Sequence, residues 1–272
     1  MISRPILLIG GGKMGGALLE GWLARGVSAK DVAVIEPEAA RAKSLRDAQN
    51  VAVHADAHAI DVRFEPAVVV LAVKPQIMDS VVPAYRRFAK PGCVFLSIAA
   101  GKTMAGFERA FGAEAAIVRS MPNTPASVGR GMTVACANRR VTREQRDLCD
   151  RLLTAVGDVA WVDDEALLDA VTAVSGSGPA YVFLLAESMA EAGVAAGLPR
   201  ALAERLARAT VAGAGELLHR SPEPASVLRQ NVTSPAGTTA AALAVLMGPQ
   251  GWQAIISKAV AAAADRSREL SG

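Results

Sequence analysis

A doubly wound parallel α/β sheet followed by an all-helical region is the fold class predicted by these 272 residues. Three observations carry it. β-rich runs alternate with amphipathic segments up to about residue 162; several of those runs are apolar without interruption; and beyond residue 163 the β-rich runs stop. Uninterrupted Val, Ile and Leu are what strands need when a sheet is covered on both faces, as parallel sheets are.

The runs are Ile6–Ile9, Val32–Ile35, Val51–Val53, Val68–Val73, Val94–Ile98, Ala116–Arg119, Met132–Cys136 and Val159–Val162. Segments with helical spacing separate the early ones, as in Ala17–Ala24, Glu38–Asp47 and Gln76–Phe88. At Asp163–Asp164 the acids suit a helix N-terminus. From there Leu184, Ala186, Met189 and Ala190, then Leu202, Leu206 and Ala209, recur at helical spacing. Pro179, Pro199, Pro222, Pro235 and Pro249 divide this part into helices. The expected domains are residues 1–163, a dinucleotide-type sheet domain, and residues 164–272, an all-α domain. Roughly a hundred residues of helices rich in small side chains make a poor solitary core, so the second domain is expected to intertwine in a homodimer.

Composition narrows the function. Hydrophobic residues are 51% and charged residues 20%, which excludes disorder on compositional grounds. The net charge is +3, with Lys and Arg interspersed among acids, so no nucleic-acid footprint is expected. Cys93, Cys136 and Cys149 stand far apart, as reduced thiols of a cytoplasmic protein do. The opening MISRPILLIGGG runs into glycines without an Ala-x-Ala pattern, so export is not expected. No apolar stretch reaches the roughly 18–20 uninterrupted residues of a membrane helix, and a soluble protein is expected.

The first run leads into Gly10-Gly11-Gly12-Lys13-Met14-Gly15, where Gly10, Gly12 and Gly15 fill a Gly-x-Gly-x-x-Gly frame. Gly10 permits the tight turn, Gly12 lets backbone approach a pyrophosphate, and Gly15 lets the helix pack on the strand. The helix start then offers free amides and its positive dipole end to phosphate. Strand, loop, helix and an acid about 20 residues on, Glu36, together form a Rossmann-type nicotinamide-dinucleotide site. Glu36 can accept from ribose hydroxyls and repel a 2′-phosphate; Glu38 adds to that and Arg41 offsets it. A pair of solvated acids at a helix start is the alternative. The cofactor is therefore NADPH or NADH.

His54 and His58 are spaced i, i+4, but no third ligand accompanies them, so a surface loop and no metal site is expected. His219 suits a helix C-terminus. No Ser–His–acid or Cys–His arrangement is readable. Five proline-containing loops remain. Ala72-Val73-Lys74-Pro75, Ser97-Ile98-Ala99-Ala100-Gly101 and Met121-Pro122-Asn123-Thr124-Pro125 each end a strand at the edge where open α/β sheets bind ligands. Ser175-Gly176-Ser177-Gly178-Pro179 interrupts an otherwise long helix, and Thr233-Ser234-Pro235-Ala236-Gly237-Thr238-Thr239 opens another. Hydroxyls and free amides at that last helix start suit a carboxylate.

GGGKMG, AVKP, SIAAG, MPNTP, VSGSGPAY and SPAGTT, in that order, resemble pyrroline-5-carboxylate reductases along essentially the whole chain. The resemblance implies a Rossmann domain, a helical domain that interlocks into a dimer, and assembly of five dimers in many members. It implies reduction of 1-pyrroline-5-carboxylate to L-proline, the last step of proline synthesis, with NADPH or NADH. It assigns the substrate carboxylate to Ser234, Gly237, Thr238 and Thr239, with Thr239 beside the ring nitrogen as the catalytic residue. Gly10, Gly12, Lys13, Met14, Gly15, Glu36, Ala72, Val73, Lys74 and Pro75 line the cofactor, with Ile98, Ala99, Ala100, Met121, Pro122 and Asn123 nearer its nicotinamide. Glu165 and Asn231 match positions near cofactor and substrate. Two departures stand out. Ala236 occupies a position where the family commonly has Gly, which demands ordinary backbone angles or strain. Glu36-Pro37-Glu38 replaces small hydroxylated residues, which puts an NADPH preference in doubt.

Hydroxy-acid dehydrogenases share the glycine loop, but they carry a Lys and a nearby Asn on the long helix of the second domain. Between Val171 and Leu198 this chain has neither. A non-catalytic redox-sensing dimer would need the glycine loop and have no use for the hydroxyls of SPAGTT.

Overall fold

The computed structural model describes residues 5–271. Met1–Arg4, on which part of the expectation about export falls, lie outside them. Among the described residues one sheet holds β1 (Ile6–Ile9), β2 (Val32–Ile35), β3 (Ala52–His54), β4 (Val68–Leu71), β5 (Val94–Ser97), β6 (Ala116–Met121), β7 (Gly131–Ala137) and β8 (Gly157–Val162). Their order is β3-β2-β1-β4-β5-β6-β7-β8. All neighbours are parallel except β6 and β7, which run antiparallel. The reversal departs from a uniformly parallel reading. Only nine residues, with Pro122 and Pro125 among them, join the two strands. That is too short for a parallel crossover.

Each central strand is buried on both faces, so its alternate residues feed two cores. Ile6, Leu8, Val32, Val34, Val68, Val70, Val94 and Leu96 meet α1 (Lys13–Ala24) and α5 (Arg143–Thr154) through Leu18, Leu19, Trp22, Leu148 and Leu152. Leu7, Ile9, Ile35, Val69, Leu71, Phe95 and Ile117 meet α3 (Pro75–Val81) and α4 (Met104–Phe111) through Met78, Phe107 and Phe111. Each such side chain contributes about 1.5–3 kcal/mol on burial. Trp22 is fully buried and its indole N–H donates to Leu152 O at 2.8 Å, so its one polar atom is satisfied. The expected helix over 76–88 ends early, because Pro83 cannot continue the α-helical ladder and the chain tightens into a 3₁₀ turn over Val82–Phe88. Between β2 and β3, α2 (Ala39–Gln49) makes the second crossover.

After β8 come α6 (Leu167–Val171), a π-helical turn over Thr172–Gly176, and α7 (Gly178–Ala195). Then follow α8 (Arg200–Arg220), α9 (Ala225–Asn231), α10 (Thr238–Leu246) and α11 (Trp252–Ser271). The acids at 163–164 sit where expected: Asp164 Oδ1 accepts the Ala166 N–H at 2.9 Å just ahead of α6. His219 lies in the last turn of α8. The chain divides into one compact unit of residues 1–176 and 264–272 and a second of 177–263. The last strand ends at Val162, and α6 and the π turn pack with the first unit. The reason is Leu168, buried with Val134 and Cys136 against the sheet.

The second unit has little interior of its own. In it only Ala190, Ala203 and Ala207 are buried, while Phe183, Leu184, Leu217, Val245, Met247 and Ile255 are exposed. So much apolar surface on one unit marks an interaction face. The helical run Leu167–Ala195 is long and apolar enough, by length and composition, to cross a membrane. Asp169 and Glu187 interrupt its apolar residues, but the many Ala and Val keep the average high.

Candidate active site

The glycine loop sits at the switch point of the sheet, where β1 leaves towards β2 on one side and β4 on the other. Gly10 has φ +99°, and a methyl on it would lie 2.8 Å from Ala72 O. A methyl on Gly15 would lie 2.1 Å from Gly10 O. Neither position tolerates a side chain, so α1 is drawn directly over the end of β1. At Gly12 the same methyl would meet nothing within 4 Å. Gly12 is also the N-cap of α1 and supplies no side-chain cap. An open space above an uncapped helix start is a cradle for phosphate. Lys13 is exposed at the first helical position, and Met14 packs its side chain against the core.

Glu36 is not a solvated acid. It is 4% exposed at the end of β2. Its Oε2 accepts the Gly11 N–H at 3.0 Å and an Arg41 N–H at 3.2 Å, while its Oε1 accepts the Glu38 N–H at 3.0 Å. Three of the roughly four lone-pair sites of the carboxylate are thus used, and one on Oε1 is left for a ribose hydroxyl. The other arm of Arg41 pairs with Glu38 at 2.5 Å, which leaves the trio with a net negative charge.

The next loops follow along the same edge. Lys74 holds the N-cap position of α3 without a side-chain cap, and Pro75 stands in the first turn. Ala72 N donates to Ile9 O at 2.8 Å, tying the AVKP loop to β1. Ile98 N donates to Leu71 O, and Ala99 N to Ser97 Oγ at 3.3 Å. Ser120 Oγ donates to Ser97 O at 2.9 Å, so the ends of β5 and β6 are joined. Beyond them Met121, Pro122 and Asn123 turn the chain. The structure therefore gathers every cofactor residue expected from sequence onto the carboxyl edge of β1, β2, β4, β5 and β6.

Glu165 lies on the same unit. Its carboxylate accepts the Met104 N–H at 2.6 Å, at the start of α4, and pairs with the Arg119 guanidinium. Arg119 is 8% exposed on β6, and sequence reading passed over it. A charged residue inside an apolar run was the available signal, because a buried Arg needs a partner. Cys136 stands opposite Arg119 in register. Its thiol is held above the usual range, first by burial and then by the charge of Glu165, so it offers no nucleophile. Burial likewise pushes Cys93 up to about 12.

The remaining expected residues belong to the second unit. Asn231 ends α9, and Gly237 is the N-cap of α10 without a side-chain cap. Thr238 and Thr239 form the first turn of α10. Gly237 N donates to Ser234 O at 3.1 Å, closing the loop, and a methyl on Gly237 would lie 2.4 Å from Ser234 Oγ. The serine hydroxyl therefore lies directly against the helix start. Ala236 takes φ +57°, the left-handed region, so the departure from Gly is carried as strain.

Comparison with known proteins agrees with this layout. Residues 165–270 match the family described as pyrroline-5-carboxylate reductase dimerisation. Residues 5–101 match the family described as NADP oxidoreductase, coenzyme F420-dependent. A pyrroline-5-carboxylate reductase of Pseudomonas aeruginosa is 42% identical over 272 residues, covering 100% of this chain and 98% of that protein. The solved structure of a pyrroline-5-carboxylate reductase from Coxiella burnetii has a TM-score of 0.93 at 35% identity, covering 99% of each chain. That of the Plasmodium falciparum pyrroline carboxylate reductase with NADP bound has a TM-score of 0.82 at 29% identity, covering 100% of each.

The strain at Ala236 is measurable. Ala236→Gly relieves about 1 kcal/mol, so the melting temperature rises by about 2–3 °C. An unchanged or lower midpoint would mean that this loop takes ordinary angles.

Proposed function

The chain belongs to the pyrroline-5-carboxylate reductase family, and from that premise we propose that it reduces 1-pyrroline-5-carboxylate to L-proline, the last step of proline biosynthesis. It is an NAD(P)-dependent oxidoreductase acting on a carbon–nitrogen double bond. One observation carries the geometric case: the uncapped start of α1 lies open above Gly12, at the switch point of the sheet. When bound there, NAD(P)H supplies the hydride. The residues fit it: Gly12 leaves the space, Gly10 and Gly15 let α1 close over the end of β1, and the amides of Lys13 and Met14 face phosphate. Glu36 receives the ribose. Val73–Pro75 and Ile98–Ala100 line the cofactor further along, and Met121–Asn123 flank the nicotinamide.

Ser234, Gly237, Thr238 and Thr239 hold the substrate carboxylate with hydroxyls and the free amides of α10, and Asn231 and Glu165 lie near the substrate. The protonated iminium carbon is already a strong electrophile, so the protein's task is to position and to complement charge. A strong general base is not required, in keeping with the absence of any triad pattern in the sequence. The Thr239 hydroxyl, beside the ring nitrogen, orients the proton there.

The trio of Glu36, Glu38 and Arg41 disfavours a 2′-phosphate, and NADH is the preferred donor. Arg41 is held by two carboxylates rather than offered to the cofactor.

The protein is a homo-oligomer, since the dimerisation family covers its helical half. The finer assignment is a homodimer made through residues 164–272, with five dimers assembling further. The exposed apolar side chains of α7, α8, α10 and α11 are what a second copy covers, which accounts for the membrane-like hydropathy of Leu167–Ala195. No membrane or nucleic acid takes part, and the protein works in the cytoplasm.

The reading is tested by following oxidation of NADH or NADPH at 340 nm with the imine. Thr239→Val lowers kcat by about tenfold or more while dinucleotide affinity stays within about twofold. A large loss of cofactor affinity instead would refute the role of Thr239, and no turnover of the wild type at millimolar imine would sink the assignment.

Cofactor choice is tested separately. Glu36→Ser removes the charge that opposes a 2′-phosphate. The ratio of kcat/KM for NADPH to that for NADH then rises by about tenfold. An unchanged ratio would leave Glu36 with only its hold on Gly11.

A further inference from the structure

The Ser-Gly-Ser-Gly-Pro motif is not accounted for by cofactor or substrate binding, yet the structure ties it to the edge that holds the cofactor. Residues 165–176 behave as a strap fastened at both ends. At one end Glu165 joins α4 and β6 through Met104 N–H and Arg119. At the other, the Asn123 side-chain amide donates to Ser175 O at 3.3 Å and to Ser175 Oγ at 3.2 Å. The same side chain accepts the Met132 N–H at 2.9 Å through Oδ1. Asn123 is thus gripped by Ser175 on one side and by the start of β7 on the other.

Two features make the grip possible. The chain forms a π-helical turn over Thr172–Gly176, and such wide turns recur at functional sites. Pro179, four residues on, has no N–H to donate back, which leaves the Ser175 carbonyl to accept from outside the helix. Next to it, Gly176 carries no side chain, and a methyl there would lie 2.4 Å from Met121 Cε. Both ends of the Met121–Asn123 turn therefore rest on adjacent residues of the π turn.

We infer that Ser175 is a positioning residue for hydride transfer, which locks the Asn123 amide and so holds the Met121–Asn123 turn in one geometry. This rests on the reading that residues 121–123 flank the nicotinamide. Ser175 touches neither reactant in this account. It acts through Asn123, while Gly176 acts through Met121. Hydride transfer is steeply sensitive to placement, so loosening the turn slows the chemistry more than it weakens binding.

The test compares Ser175→Ala, Ser175→Thr, Gly176→Ala and Asn123→Ala with the wild type, in the assembled full-length protein. Ser175→Ala removes one of the two acceptors for the Asn123 amide. It lowers kcat by about five- to tenfold, with the dinucleotide Kd within about twofold and the melting temperature within about 3 °C. The primary isotope effect with NAD(P)H deuterated at the transferred position rises. Without any cofactor, the Met132 amide exchanges with deuterium about fivefold faster, because its acceptor is released. Ser175→Thr keeps the hydroxyl and restores both readouts. Gly176→Ala displaces only the flexible end of Met121 and lowers kcat in the same way. Normal kinetics in Ser175→Ala beside a slow Asn123→Ala would overturn the inference alone. Normal kinetics in both would overturn the placement of residues 121–123 as well. A Ser175→Thr variant as slow as Ser175→Ala, with both melting early, would make Ser175 merely structural.

Discussion

The close approach of α1 to the end of β1 is the constraint on which the rest of the cofactor site depends. A single methyl at Gly15 would lie 2.1 Å from the Gly10 carbonyl, so helix and strand can meet only through glycine. That meeting places the uncapped amides of α1 over the switch point of the sheet. It also turns the Gly11 N–H towards Glu36, whose buried carboxylate fastens the loop to β2. The acid proposed to discriminate between cofactors is therefore the same acid that holds the glycine loop in shape. Selection for one role constrains the other, and a buried carboxylate bound by two backbone amides is not easily replaced.

The helical half follows a different logic. The first unit places large side chains on two buried faces of one sheet. The second has small side chains within and large apolar ones outside, such as Phe183 and Leu217. Its stability is consequently a property of the assembly and depends on protomer concentration. Within it the loop before α10 stores strain at Ala236, in the segment whose hydroxyls and amides are proposed to receive the carboxylate. Strained backbone at such a place persists only when the surrounding contacts fix it. Here the Gly237–Ser234 hydrogen bond and the start of α10 do so.

How much of this was readable from sequence follows from range. Every strand was visible, the central ones because burial on both faces writes itself as a continuous run such as Val68–Leu71. The glycine loop and the strand-end loops were visible because turns and close approaches demand particular residues. What depended on partners distant in sequence was not. Glu36 read equally well as a solvated acid until its three donors were seen. Arg119 passed as part of a strand, since its counter-charge Glu165 stands 46 residues away. The reversal of β7 hinged on the shortness of one connection. The hydropathy of Leu167–Ala195 emerged only once α6, the π turn and α7 were seen as one helical run. Ser175 was noticed as an interruption, but its grip on Asn123 spans 52 residues and carries no local signature.

The central claim is that a carbon–nitrogen double bond receives hydride directly, in a site that only positions and complements charge. Its most direct measurement is the fate of a deuterium label. NADH carrying deuterium at one face of the nicotinamide C4 is incubated with 1-pyrroline-5-carboxylate in ordinary water, and the L-proline formed is examined by mass spectrometry and NMR. The account predicts one deuterium at C5 of proline, delivered from one of the two labelled faces only. Proline without label from NADH deuterated at either face, or label delivered from both faces, would contradict it.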